Sequence, residues 1–245
     1  MVTTAASAVR RPRVFYVGVG GTLLMLVLVG FAPPYSASLS AGTLPPFLHV
    51  HAAVFLFWTV LLLVQASLVA RGSVALHRRL GVLGASLLPV MLVLGYMTAV
   101  FGARRGHPMW KVPGQPVPED FPFADSLAFM TVPLGDLVLL AVFSAIAVWY
   151  RKRPEIHKRA MLLAGIGCMV APAASRLPLV NDVLATVLVF VLLLAACLVH
   201  DYYERGRMHP LNLWGSIAIL ASVPGRVALA QTAAWHSLAE WMTRS

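Results

Sequence analysis

Residues 48–84 read LHVHAAVFLFWTVLLLVQASLVARGSVALHRRLGVLG. The first part, through Ala70, is apolar apart from His49, His51, Thr59, Gln65 and Ser67. That run exceeds the roughly 20 residues a helix needs to cross the hydrocarbon core. It is continuous rather than alternating, so it reads as a helix and not as a barrel strand. Arg71 and Gly72 end it. His77, Arg78 and Arg79 then stand at the mouth of a second apolar run.

The same junction recurs at residues 155–164, EIHKRAMLLA, where His157, Lys158 and Arg159 open another run. Over the 245 residues, 59% are hydrophobic and 11% charged. Soluble domains carry about 25% charged residues. The fold class is therefore an all-α, polytopic integral membrane protein in a single membrane domain over 1–245.

Seven spans are expected, near 14–31, 47–70, 80–101, 127–150, 160–175, 182–199 and 211–230. The fifth is the shortest and holds Pro172. The seventh is expected to break at Pro224-Gly225 and carries Arg226. The segment 232–243 is too polar to span. It sets Ala234, Leu238 and Trp241 on one face, which suits a helix lying in the interface. The first apolar run lacks a small-residue cleavage site and reads as a span rather than a signal peptide.

The net charge of +10 does not point to nucleic acid, because the cations sit in short clusters between apolar runs. Such clusters set orientation. Arg10, Arg11, Arg13, Arg71, Arg78, Arg79, Arg151, Lys152, Arg153, Lys158, Arg159, Arg205 and Arg207 fall on one side. The expected topology is N-in, C-out, in a bacterial inner membrane. The long 103–126 loop then faces outward, as a lid or a covering loop. Cys168 and Cys197 lie in apolar runs and read as small buried hydrophobes.

The repeated junction suggests a two-helix internal repeat, spans two and three matching spans four and five. Small residues follow each junction: Gly81, Gly84 and Ala85, then Ala160, Ala164 and Cys168. They imply either a helix-packing seam or a seam against a flat cofactor.

Depth sorts the eight histidines. His77, His157, His200 and His209 belong to one membrane face, His49 and His51 to the other; His107 lies in the outer loop and His236 in the terminal helix. His51 and His77 stand on the order of 30 Å apart along the chain and cannot serve one centre. His77 with His157 or His200 supplies the two axial ligands of a b-type haem. The three together supply a divalent metal site with an open position. Glu155 and Asp201 are placed to orient imidazoles. The third reading is that histidine is simply tolerated at a membrane interface.

His51, Trp58 and Gln65 recur every seven residues on one face of the second span, a candidate ligand face or a hydrogen-bond seam. Asp136 is a carboxylate inside span four, which must be protonated, paired or wet. Arg226 is its natural partner and His51 a second candidate, and both a structural tie and a proton-relay or ligand role are open. Arg176 and Asp182 form a weaker candidate tie.

The stretch 48–84, followed by HKRAMLLA at 157–164 and SRLPL at 175–179, resembles a family of uncharacterised bacterial multi-pass membrane proteins. The resemblance covers spans two to five and implies architecture more than activity. The membrane histidines also look loosely similar to those of b-type membrane cytochromes, which implies a haem between helices. Three functional readings follow: a redox or ligand-binding protein with haem b or a metal, a non-catalytic subunit or assembly factor of a larger membrane complex, and a small-molecule or proton-coupled carrier. The lipid bilayer is the expected surrounding, other subunits are possible partners, and no phosphate loop or nucleophile elbow marks an enzyme.

Overall fold

The computed structural model describes residues 3–105, 123, 125–177 and 183–244. Their secondary structure is helical: α1 (Thr3–Ser40), α2 (Pro46–Ala70), α3 (Val74–Arg104), α4 (Ser126–Phe129), α5 (Thr131–Trp149), α6 (Pro154–Ala174), α7 (Val183–Arg205), α8 (Pro210–Ala230) and α9 (Ala233–Arg244). Six helical stretches are long and apolar enough to cross a membrane: Val14–Ser40, Pro46–Ala70, Val74–Arg104, Ser126–Trp149, Leu184–Arg205 and Pro210–Ala230. The fifth expected span, now α6, is not among them.

The packing explains this exception. α1, α2, α3, α5, α8 and α7 follow one another in a closed ring, each packed on the next. α6 runs inside it and touches every ring helix except α3. Its buried stretch is unbroken from Arg159 to Val170 apart from Met161, and includes Leu163, Ala164, Ile166 and Ala173 at 0% exposure. A helix shielded from lipid by six others does not need an apolar surface all round. α6 therefore crosses the bundle while carrying Glu155, Lys158 and Arg159 near its start.

A hub helix must also be thin. Gly165 lies against Leu62 and Leu23, and Gly167 against Leu139. At Gly30 on α1, a Cβ would collide with the Ala173 carbonyl of α6. The expected packing seam is thus real, with different partners. Gly81 and Gly84 of α3 face Gln65 and Leu61 of α2, while the small residues of α6 meet α1, α2, α5 and α8.

Three boundaries differ from expectation. α1 runs to Ser40 and passes through Pro33-Pro34 rather than ending at Phe31. α8 is continuous through Pro224, so the expected break is absent. Span four has a step at Met130, between α4 and α5. Most of the 103–126 loop, with His107, lies outside the described residues, as does Asp182.

The hairpins α2–α3 and α5–α6 run in the same sense, with the heads of α3 and α6 at one end. Their settings are unlike, since α3 is in the ring and α6 is the hub. α9 packs Trp235, Ala239 and Met242 against the far end, and Trp235 Nε1–H donates to the Leu127 carbonyl at 2.8 Å. The face with Ala234, Leu238 and Trp241 points outward, Trp241 at 69% exposure, as an interfacial helix requires.

Gly30→Ala should push α1 off α6 and lower stability by about 1–3 kcal/mol. Gly21→Ala, where a Cβ meets nothing within 4 Å, is the control and should be neutral or stabilising. Thermal unfolding of the two variants in detergent checks the contrast.

Candidate functional site at the basic end of the bundle

The heads of α1, α3, α6 and α8 and the tails of α2, α5 and α7 share one end, which carries most of the cations. Arg159, one and a half turns into α6, is fully buried there. Its guanidinium grips Asp201 of α7, Nε lying 2.9 and 3.1 Å from the two carboxylate oxygens and a terminal nitrogen also bonding Oδ1. The other terminal nitrogen donates to the Glu155 carboxylate at 2.7 Å and to the Glu155 carbonyl at 2.9 Å.

Asp201 accepts two further bonds, from Asn212 Nδ2 at 2.8 Å and from the His209 N–H at 3.3 Å. Lys158 and Arg205 meet Glu155 at the rim, at 3.0 and 3.3 Å. Two opposite charges with no water access are tolerable only when each is hydrogen-bonded throughout. This cluster meets that condition and ties α6, α7 and α8 together. Glu155 and Asp201, expected to orient imidazoles, instead serve Arg159.

His77 and His157 meet beside this cluster. Their ring centroids are 6.0 Å apart with planes at 82°. No Cα of α3 comes within 8 Å of α6, so the two rings bridge the gap where the ring helix misses the hub. His157 Nδ1 pairs with the Ala147 carbonyl of α5 at 2.9 Å, as its N–H donor. That leaves its Nε2 as the free lone pair. The Gln65 carbonyl lies beside the His77 ring, yet His77 Nδ1 is buried with no partner. Gln65 Oε1 is buried and unpartnered as well.

His200 does not join them. It stacks on Phe15 of α1 at 3.9 Å and lies 3.3 Å from Glu204, without hydrogen-bond alignment. α7 stands opposite α3 in the ring, so the hub separates His200 from His77. Among the described residues no three His, Cys, Asp or Glu converge as a metal-holding group. The expected His77–His157–His200 triad reduces to a pair. Cys168 and Cys197 are free and buried in the core, as read from the sequence.

At the far end Asp136 and Arg226 form the expected tie, Arg226 Nη1 at 2.6 Å from Oδ1, with a second bond to the Val132 carbonyl at 3.1 Å. Gly135 makes room for it, since a Cβ there would strike the guanidinium. The His51–Trp58–Gln65 stripe divides. Trp58 is 2% exposed and belongs to the core, Gln65 sits at the basic end, and His51 lies against Phe55 at 4.3 Å at the other. His49 Nδ1 pairs with the Tyr35 hydroxyl at 2.6 Å.

Compared with known proteins, the chain matches no family model, no curated protein and no solved structure.

Sequence reasoning treated Arg159 as one more orienting cation and missed its burial. The available signal was its place: the only one of the His157–Lys158–Arg159 trio four residues beyond Glu155, on the side that continues into Ala160, Leu163 and Ala164. Asp201→Ala should cost about 3–5 kcal/mol by leaving Arg159 buried and unpaired. Arg159→Met combined with Asp201→Leu should cost less than that single change. Denaturation of both variants in the same detergent measures the coupling.

His209 caps α8 by accepting the Leu211 N–H on Nδ1 at 3.1 Å. Burial, and then the Arg159 cation, hold its ring below the ordinary imidazole range. Its folded form favours the neutral ring, so its contribution is present above about pH 6.5 and is lost as pH falls through the lowered value. His209→Asn caps without titrating. Its thermal midpoint should depend less on pH between neutrality and mild acid than that of the parent.

Proposed function

We propose that this multi-pass membrane protein binds a metal-centred group, a b-type haem or a divalent cation, through His77 and His157 at its basic end. The observation that carries the reading is a pair of half-buried imidazoles that meet where no Cα of α3 comes within 8 Å of α6. Each ring keeps one nitrogen uncommitted. His157 directs its other nitrogen at a backbone carbonyl, which is the usual outer-shell partner of a ligating histidine and fixes its tautomer. A metal held here would be bonded by one nitrogen of each ring, and the two ring centroids stand 6.0 Å apart. Two nitrogens suffice for the axial positions of a haem; a divalent cation would take its remaining ligands from water or substrate.

In this reading the basic end faces the cytoplasm of a bacterial inner membrane, because cation clusters mark that side. A redox role follows for the haem form and a ligand-binding role for the cation form. The carrier alternative loses one of its supports, since α8 is unbroken.

The test is an absorption spectrum and elemental analysis of protein purified from cells supplied with haem precursors and trace metals. A stoichiometric Soret band shifting on dithionite reduction, or one bound metal per chain, is expected. His77→Ala and His157→Ala should each abolish it, whereas His200→Ala should leave it unchanged. A folded, cofactor-replete protein with neither signal overturns the reading.

A further inference from the structure

Helical hydroxyls in this protein usually bond back to their own helix. The buried Thr59, Thr98 and Thr131 donate to the carbonyls of Phe55, Leu94 and Ala128. Ser144 of α5 and Ser216 of α8 do not, although they are 1% and 3% exposed. Their hydroxyls are buried and unpartnered, as is Asn212 Oδ1, one turn before Ser216.

These oxygens lie within about a turn of one another along the α5–α8 contact. α5 and α8 are antiparallel, and Asp136 pairs with Arg226 while Gly215 packs against Phe143. That register sets Ser144 level with Ser216, about 9 Å into the bundle from the head of α8. Asn212 spends its Nδ2 on Asp201, so its Oδ1 is left for the interface. About a turn further from the head of α8, Leu140 and Ile219 are buried apolar side chains at 0% and 1% exposure. On the outside, a cavity of about 230 Å³ lies at the α7–α8 turn, lined by Arg205, Arg207, Met208, His209 and Pro210. The His209 backbone N–H, at the cavity, and the Asn212 side chain both donate to Asp201, so the cavity wall and the buried oxygens are one hydrogen-bonded residue apart.

We infer that Asn212, Ser216 and Ser144 line a hydrated pocket, filled through the cavity at the α7–α8 turn and ending at Leu140 and Ile219. Its ligand is water. Buried polar atoms without protein partners are ordinarily satisfied by internal water, which makes about three hydrogen bonds per molecule. Three oxygens from two helices offer that number. The pocket gives the basic side a water path into the membrane-spanning region that stops short of the Asp136–Arg226 pair. It stands independently of the histidine site.

Single cysteines test this in a Cys168→Ala, Cys197→Ala background. A small water-soluble methanethiosulfonate is applied from either face of oriented membrane vesicles. Ser216→Cys and Ser144→Cys should react from the basic side, on the order of tenfold or more faster than Ile219→Cys, because only a hydrated thiol ionises readily. Equal inertness of all three, or reaction of Ser216→Cys from the far side, overturns the pocket. Radiolytic hydroxyl labelling of the unsubstituted protein avoids any folding defect. Phe143 and Leu163, which flank Gly215, should be oxidised while Leu23 at 0% exposure is not. Labelling of Phe143 and Leu163 no greater than that of Leu23 also overturns it.

Discussion

The buried Arg159–Asp201 pair depends on α6 being enclosed, and much of the structure follows from that enclosure. A guanidinium facing lipid at this depth is costly. Inside a ring of six helices it meets Asp201, the Glu155 carboxylate and a carbonyl instead. The ion pair in turn selects the neighbours. Asp201 brings α7, and Asn212 and His209 bring the head of α8. Replacing such a pair with apolar residues can be neutral in stability, so its plainer contribution is to fix which helices surround the hub.

Enclosure also accounts for the composition of α6. Its polar start disqualifies it as a lone membrane span, and its run of Ala and Gly leaves room for Leu23, Leu62 and Leu139 from three directions. The six ring helices show the opposite pattern. They carry large exposed apolar side chains such as Val82, Val93, Val138 and Leu192, suited to lipid contact. Hydropathy measured along the chain separates these roles: the ring passes and the hub does not.

What the sequence made legible was position along the membrane normal. Apolar runs and cation clusters located the six candidate spans and the helix between them, put His77 and His157 at one depth, and paired Asp136 with Arg226 across the far half. What it left open was position around the bundle. His200 shares the depth of His77, and only the hub between α3 and α7 separates them. Trp58 lies on the same helix face as His51 and Gln65, yet packing across α2 turns it into core. Prolines misled for a related reason. Pro33, Pro34 and Pro224 remove donors in any chain, but whether a helix ends there depends on what lies beside the freed carbonyls. A single sequence carries no information on neighbours of that kind.

The two buried ion pairs divide the bundle unevenly. Arg159–Asp201 binds α6 to α7, and Asp136–Arg226 binds α5 to α8. Among the described residues no ion pair reaches α1, α2 or α3. The α2–α3 hairpin is held by apolar packing, by small residues such as Gly81, Gly84 and Gly95, and by the Tyr35–His49 and Arg104–Thr243 hydrogen bonds at the far end. α3 is also the one ring helix with no Cα within 8 Å of the hub, which it meets through the His77 ring. The gap between α3 and α6 is therefore the boundary between an electrostatically locked body and a hairpin free of such locks. His77 stands on the unlocked side and His157 on the locked one. A group bound between them would tie α3 to the hub, which among the described residues the helix backbones do not do.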